Sequence, residues 1–189
     1  MTHPESFAAG RPAVEIRRVR PDLLARLGGL PDYQSAWAAA IDLIACIEAP
    51  LALHPLDGAV LVPTGIALNM RDAGMMALIF PRSSMGHKRG LVLGNGTGLI
   101  DPDYQGEIMV SACSRLPAVR RPEDADGQLG LPFMPALIDE GNVIVIQPGE
   151  RIAQLVFVPV LRPVLEEVEA FSSSTARGSG GFGSTGSGL

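Results

Sequence analysis

Between Leu91 and Ser111 the chain reads LVLGNGTGLIDPDYQGEIMVS, placing an amide (Asn95), a carboxylate (Asp101) and a phenol (Tyr104) close together in sequence. An amide presents a donor and an acceptor side by side and so can pair with the edge of a nucleobase. A carboxylate can orient a water and take its proton, and a phenol ring can lie against a sugar. Two apolar β-type runs, Leu91–Leu93 and Ile108–Val110, bracket this Gly-, Asn- and Asp-rich segment. The bracket predicts a hairpin whose loop holds these groups in place. A solvated acidic turn has the same composition, so the stretch alone does not decide between them.

Three further stretches carry usable chemistry. Pro81-Arg82-Ser83-Ser84-Met85-Gly86 directly follows an apolar run. There a forked cation, a hydroxyl and successive backbone N–H groups could cradle a phosphate, although a polar turn leaving a strand reads the same way. Glu150-Arg151-Ile152-Ala153-Gln154 sets a polar Gln154 inside an apolar run, either a satisfied barrel polar group or a ligand contact. The tail Arg177-Gly178-Ser179-Gly180-Gly181-Phe182-Gly183-Ser184-Thr185-Gly186 has the composition of a linker. Its glycines would nevertheless let the backbone wrap a ligand, its hydroxyls suit phosphates, and its Phe can stack on a base. It is not a P-loop, because Gly-Lys-Ser/Thr is missing. His3, His54 and His87 lie in unlike contexts and form no metal pattern, and Cys46 and Cys113 read as small buried thiols.

These groups must be positioned by a chain of 189 residues, enough for one domain with a sizeable core. The net charge of −5 argues against a nucleic-acid polymer as partner but leaves room for a small phosphorylated ligand. No apolar run reaches the length of a membrane helix. The N-terminal stretch has no basic region followed by an apolar one. The expectation is a soluble, cytoplasmic protein.

Abundant Pro and Gly with few aromatics favour many short strands joined by tight turns. Strands are expected near Val14–Val19, Leu51–Leu53, Ala59–Val62, Ile66–Leu68, Ala77–Phe80, Val143–Ile146 and Ile152–Val160, with a helical turn at Leu23–Leu27. The alanines of Ser35–Ile47 favour helix by local propensity. Residues 116–142, with several prolines and no period, read as a surface excursion. From Ser172 the Gly/Ser composition predicts a mobile tail. The fold class is therefore all-β, a barrel or jelly-roll, with residues 1–12 as a leader, 13–171 as the β domain and 172–189 as the tail.

Taken in order, Ala-Ile-Asp-Leu at 40–43, PRSS at 81–84, NGTGLIDPDYQGE at 95–107, ERIAQL at 150–155 and RGSGGFGSTG at 177–186 resemble the five motifs of the trimeric dUTPases. The resemblance implies a β jelly-roll, which makes Ile41–Ile47 a strand against its helical propensity. It also implies a homotrimer in which the tail of one chain closes a site built by others. The implied reaction is hydrolysis of dUTP to dUMP and pyrophosphate, with Asp101 as general base for water attacking the α-phosphorus. Mg²⁺ would be held by the phosphates and waters, with Asp42 and Gln154 as outer-shell partners and no direct protein ligand. Arg82, Ser83 and Ser84 match phosphate contacts. Asn95 and the backbone around Gly98 and Leu99 would read uracil, and Tyr104 would exclude a 2′-hydroxyl. Phe182 would stack on the base, and Arg177, Gly183, Ser184 and Thr185 would close over the phosphates.

Two departures stand out: Ala40 and Ser84 occupy positions where the family usually has Gly. The insertion at 116–142 matches no family role. Two other readings share some of these features. A dCTP deaminase has the same fold and an Arg-Ser-Ser turn, but Ser111 stands where its acid/base Glu would be expected. A non-catalytic dUTP-binding regulator would keep the pocket without the turnover.

Overall fold

The computed structural model describes residues 12–55, 57–117 and 142–181. Ten strands and two short helical pieces follow one another: β1 (Glu15–Arg18), α1 (Pro21–Arg26), β2 (Ile41–Ile44), β3 (Leu51–Leu53), β4 (Val60–Asn69), β5 (Met75–Pro81), a π-helical turn (Ser84–Arg89), β6 (Leu91–Leu93), β7 (Gly98–Ile100), β8 (Glu107–Ser114), β9 (Ile144–Ile146) and β10 (Arg151–Pro159). They form a sheet of order β1-β4-β8-β6, a second of order β2-β10-β5-β7, and a small β3-β9 pair, all antiparallel.

Alternation along β8 turns Ile108, Val110 and Ala112 inward. They meet Ile66 and Leu68 of β4, Ala77 and Ile79 of β5, and Ile152 and Leu155 of β10 in one apolar core. Pro21 at the first turn of α1, Asp22 near its start and Arg26 near its end agree with the helix dipole. The helix drives Leu24 fully into the core. No helix of the described residues is long and apolar enough to cross a membrane.

The expected strands are present, with three corrections. Ala59–Val62 and Ile66–Leu68 are not separate runs: β4 passes through Pro63-Thr64-Gly65 as one strand with a bulge between Pro63 and Ala67. Side-chain hydrogen bonds replace the lost ladder there. Thr64 Oγ1 donates to the Ile108 carbonyl at 2.7 Å, and Gly65 N donates to Glu107 Oε1 at 2.9 Å. Gly65 has φ of +76°, and a Cβ on it would lie 2.6 Å from Cys46 Sγ, so only glycine fits. The strand predicted over Ile41–Ile47 ends at Ile44. Beyond it Ala45 N still bonds the Glu150 carbonyl, while Cys46 N turns to that of Pro63.

The third correction concerns the central hairpin. Leu91–Leu93 pairs with Ala112–Ser114, whereas Ile108–Val110 pairs with β4. The intervening segment is more than a loop, because Gly98–Ile100 crosses to the other sheet and pairs with Ala77–Ile79. Of the two thiols, Cys46 is buried and Cys113 half-buried in β8, and neither is in a disulfide.

Candidate active site

The second sheet gathers the first group of candidate residues. In the β2-β10 register Gln154 stands opposite Asp42, and across β10 it stands opposite Phe80 of β5. Paired residues share a face, so the amide and the carboxylate are neighbours on one surface. Gln154 Nε2 donates to the Pro81 carbonyl at 3.3 Å, at the end of β5. Arg82 follows that end, its backbone N bonded to the Ile152 carbonyl. Its Nε lies 3.0 Å from Asp42 Oδ1. The other oxygen, Oδ2, accepts from Arg151 Nη1 at 3.1 Å, and the same Nη1 donates to Gln34 Oε1 at 2.6 Å. Asp42 is close to buried, with a side chain 11% exposed against 29% for Arg82 and 45% for Arg151.

Among the described residues the Arg82 side chain makes no hydrogen bond or ion pair other than the one with Asp42. Ser83 and Ser84 come next, both exposed, as the chain enters the π-helical turn. That turn is anchored at its far end by Arg89, which bonds Glu150 and the carbonyl of Val145. The result is a fixed cationic and hydroxylic corner suited to an oxyanion such as phosphate.

The second group sits on and after β7. Asn95 is exposed in the turn before the strand, where Thr97 N bonds its carbonyl. Gly98 is buried and Leu99 half exposed. Asp101 is exposed, and its carbonyl receives Tyr104 N at 3.1 Å. The Tyr104 hydroxyl donates to the Glu107 carbonyl at 3.1 Å, which folds the ring back over Gly106. A Cβ at Gly106 would lie 2.5 Å from that hydroxyl, so the glycine is what admits the ring.

Within one chain the two groups are not brought together. Ile100, next to Asp101, pairs with Ala77, while Arg82 lies beyond the opposite end of β5. At about 3.3 Å per residue the five residues from 77 to 82 set the two backbone positions roughly 17 Å apart. The third group, the tail, is only partly described. Arg177 Nε bonds the Gly180 carbonyl in a local turn, and Phe182, Gly183, Ser184 and Thr185 lie outside the described residues.

The sequence reading missed Arg151 and Gln34. Strict alternation would set Arg151, three residues before Gln154, on the opposite face. A register shift between Arg151 and Ala153 returns it to the face of Asp42, and bulges leave little trace in composition. Glu107 was also passed over, yet it caps the β4 bulge and pairs with Arg20 at 3.0 Å. That hydrogen bond is the main reason the Arg20 guanidinium is held above its ordinary pKa.

Among the described residues no cluster of three or more His, Cys, Asp or Glu could hold a metal directly. Asp42 and Gln154, which share one face, offer oxygen atoms of the kind that could reach the waters of a hydrated hard cation.

The family model described as dUTPase matches residues 28–116 and 127–186. Its gap, residues 117–126, is narrower than the insertion expected over 116–142, because residues 127–142 fall within the match. The deoxyuridine 5'-triphosphate nucleotidohydrolase of Azoarcus sp. (strain BH72) is 47% identical over 156 residues, covering 82% of this chain and 87% of the relative. A mutant dUTPase of Staphylococcus bacteriophage 80alpha, solved with dUpNHpp, is 26% identical with a TM-score of 0.70, covering 93% of this chain and 99% of that one. A mutant dUTPase from phage phi11 of S. aureus, described with a structural Mg(II) ion, shares the fold at 24% identity and a TM-score of 0.62, over 85% and 99% of the two chains. By the extent of the family match and by its identity to curated relatives, the chain belongs to the dUTPase family.

Proposed function

We propose that the protein hydrolyses dUTP to dUMP and pyrophosphate. The observation that carries this reading is the corner in which Arg82, paired with Asp42, stands beside Gln154 and the two serine hydroxyls. Such a corner binds a polyphosphate, and the chain's family supplies the nucleotide. Arg82 would neutralise charge on the phosphates and Ser83 would stand by the departing bridging oxygen, with Ser84 beside it. Asp101 would orient the attacking water and accept its proton. Positioning and charge neutralisation supply most of the rate in transfers of this kind. Mg²⁺, when bound, would add Lewis-acid polarisation of the phosphates, with Asp42 and Gln154 reaching its waters.

Asn95 and the backbone around Gly98 and Leu99 would read uracil, with Tyr104 against the deoxyribose. Arg177, Phe182, Gly183, Ser184 and Thr185 would close over base and phosphates.

The active site is shared between chains of a homotrimer in this reading. Two observations support it. The backbone positions of Asp101 and Arg82 lie towards opposite ends of β5, roughly 17 Å apart along the strand, which disfavours their meeting at one α-phosphate within a single chain. In addition, the chain leaves the barrel at Pro159 and runs on as an arm. Its Leu161, Val164, Leu165 and Phe171 are 94, 87, 90 and 90% exposed. Apolar side chains so displayed are suited to packing on another copy. The division into a β domain over 13–171 and a closing tail over 172–189 belongs to the same proposal. So does a cytoplasmic location, which the unpaired thiols Cys46 and Cys113 favour.

Incubation with dUTP, dCTP, dTTP and UTP in the presence of Mg²⁺, followed by product identification, is the test. The expected result is dUMP and pyrophosphate from dUTP alone. Release of ammonia from dCTP, or tight dUTP binding without turnover, would overturn the reading.

A further inference from the structure

One carboxylate, two guanidiniums and one amide form a continuous chain: Gln34 to Arg151, Arg151 to Asp42, Asp42 to Arg82. The two cations approach Asp42 from different sides. Arg151, Gln34 and Asp42 line a cleft of about 490 Å³ together with Asp32, Gly29 and Gly149, and Arg82 does not line it. Asp42 is therefore a wall with a cation on each side, and only one of those cations faces the serine corner.

This asymmetry matters when an anion arrives. A triphosphate competes with Asp42 for Arg82, and to win it must leave a nearly buried carboxylate behind. A buried charge stripped of its partner is costly, far more so than an exposed one. With Arg151 on the other oxygen, Asp42 keeps a partner while Arg82 turns its fork outward. Gln34 matters because it occupies one hydrogen of Arg151 Nη1 while the second reaches Asp42. A long, half-exposed side chain is thereby fixed in the one rotamer that holds the carboxylate.

We propose that Arg151, oriented by Gln34, is a positioning residue: it neutralises Asp42 so that Arg82 can be given up to the substrate's phosphates. The proposal deepens the dUTP reading above and rests on Arg82 being a phosphate contact.

The test is affinity for the non-hydrolysable analogue dUpNHpp with Mg²⁺, measured by calorimetry on the whole protein, with dUMP as a control ligand. Four variants enter a double-mutant cycle: Arg82→Met, Arg151→Met, Gln34→Ala and Arg82→Met with Arg151→Met. Arg151→Met is expected to weaken the analogue on the order of tenfold in the parent. In the Arg82→Met background the same change should cost less than about twofold, since there is no Arg82 left to release. Affinity for dUMP should move by less than about twofold with Arg151→Met, which separates the effect from a general loss of structure. Gln34→Ala, a change at an exposed residue, should follow the same pattern at about threefold.

Equal losses in both backgrounds would overturn the relay while leaving the dUTP reading intact, because Arg151 would then touch the substrate itself. An equal loss for dUMP would reduce Arg151 to a fold-supporting residue. Should Arg151→Met fail to fold, Gln34→Ala decides alone, and unchanged affinity there overturns the proposal. If Arg82→Met by itself leaves the analogue's affinity unaltered, the phosphate role of Arg82 falls, and the relay falls with it.

Discussion

At the scale of single residues, Asp101 and Tyr104 are set by one short turn, in which Tyr104 N bonds the Asp101 carbonyl. The turn leaves the carboxylate exposed and ready to hold a water. Asp101→Asn keeps the shape and hydrogen-bonding reach but removes the base. It is expected to preserve dUpNHpp binding and to lower kcat by about 10²–10⁴. Near-parent turnover would take Asp101 out of the mechanism. Tyr104 divides its work between ring and hydroxyl. The hydroxyl fixes the ring by donating to Glu107, and the ring is what would occupy the space of a 2′-hydroxyl. Tyr104→Phe should therefore retain most discrimination, while Tyr104→Ala should narrow the ratio of kcat/KM between dUTP and UTP. An unaltered ratio in Tyr104→Ala would leave the ring a packing role only.

At the scale of elements, the β4 bulge is held by hydrogen bonds to β8. Glu107 caps the buried N–H of Gly65 and reaches outward to Arg20. Glu107→Ala strands that N–H and is expected to destabilise the fold by about 1–3 kcal/mol, read as a lower urea midpoint at constant m. Arg20→Ala should cost less than about 1 kcal/mol, because the guanidinium is largely exposed. Equal costs would mean that the ion pair, rather than the cap, holds the bulge. The bulge also shows where sequence legibility ended. Strand positions were readable from alternation, and the polar residues within each motif were readable from type. Pro63-Thr64-Gly65 has the composition of a turn, however, and only tertiary hydrogen bonds from β8 make it strand. The pairing of Leu91–Leu93 was mis-registered for a related reason: β7 crosses to the other sheet, and no local pattern encodes a partner contributed from far along the chain. Arg151 stayed hidden because a register shift, not periodicity, aims it at Asp42.

At the scale of the whole molecule, the proposed sharing of the site between copies would make assembly part of catalysis. If Asp101 of one copy serves the phosphates held by Arg82 of another, two inactive variants should repair each other. Asp101→Asn and Arg82→Met, mixed, unfolded and refolded together, should regain about a quarter of parent activity, because each site draws each half independently. Absence of any recovery, in mixed trimers verified by mass, would place both residues in a site within one chain and sink the shared arrangement. The arm and tail carry the same logic further. Residues 161–171 display apolar side chains that the described residues leave largely exposed, and the Gly/Ser stretch beyond them offers little area to offset the entropy of ordering. Ligand contacts must supply the difference, so the tail should order only on a filled site. Hydrogen exchange over residues 172–189 is expected to slow with dUpNHpp and Mg²⁺ and to be fast without them. Truncation after Ser174 should then lower kcat/KM strongly while the trimer persists, since closure excludes water from the phosphate contacts. Equally fast exchange in both states, together with full activity of the truncated protein, would reduce the tail to a linker and remove Arg177 and Phe182 from the site.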